Sequence, residues 1–337
     1  MKVAIVILNW NGKELLNTFL PSIVRNSDYD FCDIYVADNN STDDSIIFLK
    51  TNFPNVKIIK NKDNFGFANG YNMALKNVKA DVFALVNSDI EVTKNWLKPI
   101  IKTFAEEKNT VIIQPKIRSY KNKSKFEYAG AAGGFIDNFG YPFCRGRIFD
   151  TLEYDTDQYN DEIEIFWASG ACMFIRSSVF NELNGFDGDF FAHQEEIDLC
   201  WRAKNLGYTI KYNRNSTVYH VGGATLNEVS PQKTFLNFRN NLLMLIKNLP
   251  FNKVFKIVFI RLFLDGISGV KFLFELKPLH TFAIIKAHFN MYYMLKATLI
   301  KRKINPNKMT DYYHTKNIIM QYFIQKKKTF QQLKKRS

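Results

Sequence analysis

No glycine-rich phosphate loop follows the first apolar run of this 337-residue chain. The run ends in Asn9-Trp10-Asn11-Gly12, with a single glycine. That excludes the G-x-G-x-x-G turn of a dinucleotide-binding dehydrogenase. It also disfavours a sugar-phosphate nucleotidyltransferase, which wants a glycine-rich loop with a basic residue there. Cysteine is scarce: Cys32, Cys144, Cys172 and Cys200 stand alone, with no C-x-x-C pair. They read as buried thiols in a reducing compartment, not as a disulfide framework. No apolar stretch approaches the roughly 20 residues needed to cross a bilayer. The runs Val254–Leu264 and Gly269–Leu276 carry or abut Lys256, Arg261, Lys271 and Lys277. Val3–Leu8, closed by Asn9 and Asn11, is too short for a signal-peptide core, so the protein is expected to stay in the cytosol.

Acidic residues are nearly missing from one end. From Lys247 to Ser337 there are 19 Lys or Arg against Asp265, Glu275 and Asp311, a net of +16. The whole chain carries +14, so the first 246 residues hold −2. A near-neutral body with a basic extension points to a polyanionic partner. After Pro231 the pattern is almost all helical, and Lys and Arg alternate with Phe, Leu, Ile and Tyr. That mixture predicts helices lying in an anionic membrane interface. Capping helices, a homodimer seam and single-stranded nucleic-acid binding are the alternatives, the last the most remote. The Lys-rich stretch after Gln325 is expected to fray.

What is present in the first half is a strand–helix rhythm. Apolar strands are expected at Lys2–Leu8, Asp33–Ala37, Val56–Lys60 and Val82–Val86. Helices are expected at Lys13–Val24, Ser45–Thr51, where Ser41 or Thr42 could cap, and Gly70–Val78. This rhythm means βαβ units and a parallel sheet covered on both faces. Between Gln114 and Glu164 the pattern weakens. A strand returns at Ala171–Arg176, and a helix over Glu195–Leu206 ends at Gly207. The 46% hydrophobic content supports a large core with an appendage.

The fourth strand closes on Asn87-Ser88-Asp89, which sets a carboxylate at the sheet edge where open α/β sheets bind ligands. By itself the tripeptide favours a turn. It is accompanied by Asp38-Asn39-Asn40-Ser41-Thr42-Asp43 after the second strand and by Asn64 to Asn72 after the third. Further on come Glu195-Glu196-Ile197-Asp198-Leu199-Cys200-Trp201-Arg202 and, as a fifth segment, the pair of His220 with Arg239-Asn240. In this order and spacing the five segments resemble the inverting nucleotide-sugar glycosyltransferases of family 2, and within them the rhamnosyltransferase-like members. The resemblance runs from Met1 to about Asn241.

The resemblance implies a GT-A fold, a mostly parallel sheet flanked by helices, over residues 1–230. A nucleotide-sugar half would span about 1–113 and an acceptor half about 114–230, with a basic helical extension over 231–337. It implies that Asn9, Asp38, Asn40, Asn64, Gly66, Asn72, Asn87, Ser88, Trp167 and Arg239 serve the nucleotide-sugar. Asp38 can accept hydrogen bonds from base or ribose, and Gly66 can let backbone approach the nucleotide. Asn72 can hold its loop, Trp167 can stack on a sugar or lie in the core, and Arg239 can grip diphosphate. Asp89, with His220, would bind Mg²⁺ or Mn²⁺; Asn87 stands where the family has another acid. Glu196 occupies the place of the catalytic base and Glu195 precedes it. As a turn of helix, these acids would merely complement its dipole, and Asp198 with Arg202 reads as a structural pair.

The activity implied is transfer from a UDP-, dTDP- or GDP-sugar to a saccharide or lipid-linked saccharide in cell-surface polysaccharide synthesis. The enzyme would be peripheral on the inner face of the cytoplasmic membrane. A glycosidase is disfavoured because adjacent Glu195 and Glu196 point in different directions on a helix. A non-catalytic carbohydrate- or membrane-binding protein is the remaining alternative.

Overall fold

The first strand, β1 (Val3–Asn9), is buried nearly throughout, as a central parallel strand must be. After it, α1 (Lys13–Asn26) buries Leu16, Phe19, Leu20 and Ile23, one face at helical spacing. β2 (Cys32–Asp38), α2 (Ser45–Asn52), β3 (Lys57–Lys60), α3 (Gly66–Leu75) and β4 (Val82–Asn87) continue the alternation. The computed structural model describes residues 1–222 and 230–335. Its strands run parallel in the order β3-β2-β1-β4. Asn9 pairs with Asp38 and Leu8 with Asn87, so polar residues end neighbouring strands at one carboxyl edge.

Beyond β4 the chain departs from the simple rhythm. β5 (Ile90–Val92), α4 (Leu97–Glu106) and β6 (Thr110–Ser119) are followed by a small sheet of β7 (Gly134–Ile136), β8 (Pro142–Cys144), β9 (Arg147–Ile148) and β10 (Thr151–Leu152). Strands this short show no readable alternation, which is why the sequence pattern weakens after Gln114. β11 (Ile163–Glu164), β12 (Cys172–Arg176), α5 (Ser177–Glu182), α6 (Glu195–Asn205) and β13 (Thr209–His220) complete the body. β12 inserts antiparallel between β4 and β6, while β13 runs parallel to β6 and antiparallel to β5. The sheet is therefore mixed. That insertion brings the entry of β12 and the end of β13 to the edge carrying Asp38 and Asp89.

Two local expectations shift. α3 begins at Gly66, four residues before the expected start, because a distant carbonyl caps it: Phe67 and Ala68 donate to Phe191 O at 2.8 and 3.2 Å. Nor do Ser41 and Thr42 cap α2. Ser41 Oγ accepts from Asn9 Nδ2 and from the Asn11 amide.

The C-terminal segment forms α7 (Pro231–Asn248), α8 (Phe251–Phe274) and α9 (Pro278–Ile304). Ser230 caps α7 by accepting from Lys233 N at 3.1 Å, with Pro231 at the first helical position. α9 lies against both α7 and α8. The chain then returns over the body, and Tyr312, Ile318, Tyr322 and Leu333 enter the same core as Trp167, Trp201 and Met244. The stretch after Gln325 is thus anchored as far as residue 335, contrary to the frayed end expected. Leu333 is buried and Phe330 N donates to Glu153 Oε1 at 3.1 Å. Among the described residues no helix is long and apolar enough to cross a membrane.

Candidate active site

At the ends of β1 and β2 the polar side chains hold one another. Asn9 Nδ2 donates to Asp38 Oδ1 at 3.1 Å, and Ser41 N donates to Asp38 Oδ2 at 3.0 Å. Both Asn9 and Asp38 are buried, and Asn9 Oδ1 has no partner. A layer of amides extends the site toward α3. Asn61 donates to Asn39 Oδ1 at 2.7 Å, and Asn39 donates to Gly66 O and Asn64 Oδ1. Sequence reasoning assigned no role to Asn39 or Asn61. Asn40 takes the left-handed conformation (φ 61°) and is exposed at the lip. Gly66 is also left-handed (φ 71°), and a Cβ there would lie 2.6 Å from the Phe191 ring. Beside Asp38 opens a depression of about 680 Å³ lined by residues that include Asn11, Gly12, Lys13, Thr42 and Asp43.

A second group sits where β4 passes into β5. Asn87 N donates to Ala171 O at 2.9 Å, and Asn87 and Ser88 remain partly exposed. Asp89, buried, places Oδ1 3.2 Å from His220 Nε2 and accepts from Gly222 N at 3.3 Å. Behind the imidazole lies Glu127, Oε1 at 3.3 Å from Nδ1. Burial lowers the His220 pKa, but the Glu127 and Asp89 carboxylates outweigh it and raise the group to about 10. Among the described residues no group of three or more His, Cys, Asp and Glu could cage a metal. Asp89, together with a His220 that gives up its Nε2 proton in favour of the cation, nevertheless fits a divalent ion that takes its other ligands from phosphate and water. A carboxylate behind a histidine, as Glu127 lies here, is the usual support for such a ligand. Glu127 lies in the stretch whose pattern is unreadable, so no sequence signal marks it. Gly223, in the pair Gly222-Gly223 that follows His220, falls outside the described residues.

The third group opens α6. The preceding loop holds Phe191, His193 and Gln194 at positive φ. Such a backbone persists only when its surroundings fix it. Asn240 Nδ2 lies within 2.9 Å of the carbonyls of Phe190, Ala192 and His193, and Arg239 Nη2 donates to Asp189 O at 2.9 Å. The loop thereby delivers Glu195 and Glu196 to the helix start. Glu195 is buried; burial, and then the charge of Glu196, push its pKa well above the ordinary range. Glu196 stays partly exposed, yet burial raises it to about 7 and Oε2 has no partner. A Cβ on Gly170 would lie 3.8 Å from the Glu196 Cβ, next to Ala171, whose carbonyl binds Asn87. The contacts Asn87 to Ala171 and Gly170 to Glu196 place the second and third groups in one neighbourhood.

Three residues expected to face the donor are occupied by the protein. Trp167 is buried and its indole N–H donates to Phe135 O at 2.9 Å, so it does not present a ring to a sugar. Arg239 spends its fork on Asn240, Asn290 and the loop carbonyls, leaving no face for diphosphate. Asn72 clamps the Phe186 backbone with both ends of its amide, 2.8 and 2.9 Å. Asp198 and Arg202 form the structural pair expected at 2.8 Å, extended by Lys247 and Asn248.

A central sheet ending in Asp38 and Asp89, with acids at the start of α6, defines a GT-A nucleotide-sugar enzyme architecture. Residues 4–184 match the model for glycosyl transferase family 2, which is more than half of the chain. The protein belongs to that family and is a glycosyltransferase. It is 23% identical over 284 residues to the low-salt glycan biosynthesis hexosyltransferase Agl10 of Haloferax volcanii, covering 82% of this chain and 86% of the relative. It is 22% identical over 202 residues to the N-acetylglucosaminyl-diphospho-decaprenol L-rhamnosyltransferase of Mycobacterium tuberculosis, covering 56% and 66%. The crystal structure of GalNAc-T7 with UDP, GalNAc and Mn²⁺ superimposes with a TM-score of 0.59 at 14% identity, over 88% of this chain and 57% of that one. That last likeness concerns the fold alone.

Proposed function

We propose that the enzyme moves a sugar from a UDP-, dTDP- or GDP-sugar to a saccharide or lipid-linked saccharide, inverting the anomeric centre in one displacement. The observation that carries this reading is Glu196, a partly exposed carboxyl with a pKa near 7 and an unpartnered oxygen at the start of α6. A general base works best with its pKa near the operating pH. Ionised Glu196 takes the proton of the acceptor hydroxyl as that oxygen attacks the anomeric carbon. Burial, and then the charge of Glu196, raise the Glu195 carboxyl well above its ordinary range, so the pair resists carrying two negative charges at the same spot.

Asp38 and the amides around it receive the nucleoside, and Asn40 and Asn64 line its lip. Asp89 and His220 would hold Mg²⁺ or Mn²⁺, with Asn87 and Ser88 beside them. The cation, when bound, offsets charge on the departing nucleoside diphosphate. Residues 1–230 form the catalytic part in this reading, with 231–337 as its extension. Relatives named for glycan synthesis and for a lipid-diphosphate acceptor support a role in cell-surface polysaccharide assembly, at the inner face of the cytoplasmic membrane.

Glu196→Gln is the test. Turnover is expected to fall by about 10² to 10⁴, the usual worth of a positioned base, with nucleoside diphosphate affinity unchanged. The acidic limb of the wild-type kcat profile, near pH 7, should vanish in the residual activity of the variant. Normal turnover in Glu196→Gln with a dead Glu195→Gln would move the base to the preceding residue.

A further inference from the structure

A helix on the surface of a water-soluble protein turns its apolar stripe inward and its polar side out. α8 has two apolar stripes. One carries Val254 and Ile257 into the protein. The other points away from it: Phe251, Phe255, Phe259 and Phe263 follow one another at intervals of four, each 68–75% exposed. Ile267, Val270 and Phe274 prolong this row to the end of the helix, and Leu276 at the α8–α9 corner is 88% exposed. α9 repeats the arrangement. Ala283, Ile284, Ala287 and Met291 are buried, while Phe282, Phe289 and Tyr293 are exposed. An apolar face this long and continuous marks an interaction site.

Charge identifies the occupant. Residues 251–304 contain ten Lys or Arg and two acids. One acid, Asp265, is fully buried beside Arg261 and His288. The other, Glu275, is paired with Lys271 and Lys277. Lys256, Lys271, Lys286 and Lys296 are exposed alongside the aromatic rows. Lysine stems can lie along apolar surface while their ammonium groups reach outward. A second copy of the chain would bring these lysines against one another. A bilayer with anionic headgroups offers apolar depth and negative charge together.

We infer that the α8–α9 hairpin is an interfacial lipid anchor, lying in the headgroup layer with Phe251, Phe255, Phe259 and Phe263 immersed. This deepens the membrane-face reading given above, on which it rests. It also narrows the anchor from the whole basic segment after Pro231 to the hairpin, since the chain beyond it is folded onto the body. α8 alone, at 24 residues, lays a row about 36 Å long on the lipid.

The experiment is flotation of the full-length protein with vesicles of phosphatidylglycerol and phosphatidylcholine in equal parts, and with phosphatidylcholine alone. The variants are Phe255→Ser/Phe259→Ser/Phe263→Ser, at exposed positions that leave the core intact, and Lys326→Gln/Lys327→Gln/Lys328→Gln. The wild type is expected to float with the anionic vesicles and to retain part of its binding at high salt. The phenylalanine variant should bind about 10³-fold more weakly, since each of the three buried Phe is worth roughly a factor of ten or more. The lysine variant should bind as the wild type does. A wild type that ignores both vesicles overturns the anchor and the membrane-face reading together. A phenylalanine variant that binds as well as wild type overturns the anchor alone. So does a wild-type dimer without lipid that the same substitutions convert to monomer, which would assign the stripe to self-association.

Discussion

In the proposed cation site Asp89 is the protein carboxylate, and among the described residues no neighbour stands ready to replace it. Asn87, two residues before it, is an amide and a far weaker ligand for a hard cation. Glu127 stands behind His220 and is turned to Nδ1, away from the Nε2 that faces Asp89. Asp89→Ala should therefore weaken nucleoside diphosphate binding in Mn²⁺ by about 10- to 100-fold, as loss of groups around metal sites commonly does. Binding without metal should change little. Calorimetry with and without Mn²⁺ measures both, and equal affinities in Mn²⁺ for wild type and variant would remove Asp89 from the cation site. Residue type and spacing mark Asp89, His220 and Glu196 as candidates in the sequence, and the structure sets Asp89 beside His220. Residue type misleads at Trp167 and Arg239, because an indole or a guanidinium can serve a ligand or a carbonyl equally well and only packing decides.

Among elements, the loop between α5 and α6 depends most on its surroundings. Residues 191, 193 and 194 have positive φ, and the contacts that fix them come from other parts of the chain. Asn240 in α7 binds three of the loop carbonyls, and the start of α3 takes the fourth, that of Phe191. Asn240→Ala strands these buried acceptors. It should cost about 1–3 kcal/mol of stability, read by urea denaturation. It should also lower kcat more than nucleoside diphosphate affinity, because the loop positions Glu196 while the nucleoside site at Asp38 is left untouched. A variant with wild-type stability and turnover would show that the loop holds its shape unaided.

The same loop explains what the sequence could and could not reveal. Strands and helices with a full period, such as Val3–Asn9 and Lys13–Asn26, are legible from alternation and amphipathicity alone. The early start of α3 is not, because its cap is a carbonyl more than a hundred residues away. β12 is legible as a strand, but its antiparallel place between β4 and β6 is not, and β13 is hidden, since tertiary pairing chooses their neighbours.

For the molecule as a whole, the basic extension is not an appendage that can be removed. α7, α8, α9 and the returning segment contribute Leu242, Leu245, Val254, Ile257, Met291, Tyr312 and Ile318 to the core that holds Trp201. A buried ion network adds to this junction: Lys247 contacts Asp187 at 2.6 Å and Asp198 at 2.8 Å. Breaking such a network by removing one partner is strongly destabilising. Truncation after Leu249 is therefore expected to abolish the cooperative thermal transition seen by near-ultraviolet circular dichroism. A truncated chain that melts as sharply as the full one would mean that the two parts fold independently.

α9 carries exposed Phe282 and Phe289 on one side, and on the other it reaches the active-site loop through Asn290 to Arg239 and Lys301 to Asp189. One rod thus touches both the surface proposed to meet lipid and the backbone of the loop that leads into Glu195 and Glu196. An enzyme held this way searches a plane instead of a volume. Its rate on a lipid-linked acceptor should follow the mole fraction of that acceptor in the bilayer. Diluting the acceptor with inert lipid should slow the reaction even when the bulk concentrations of enzyme and acceptor stay the same.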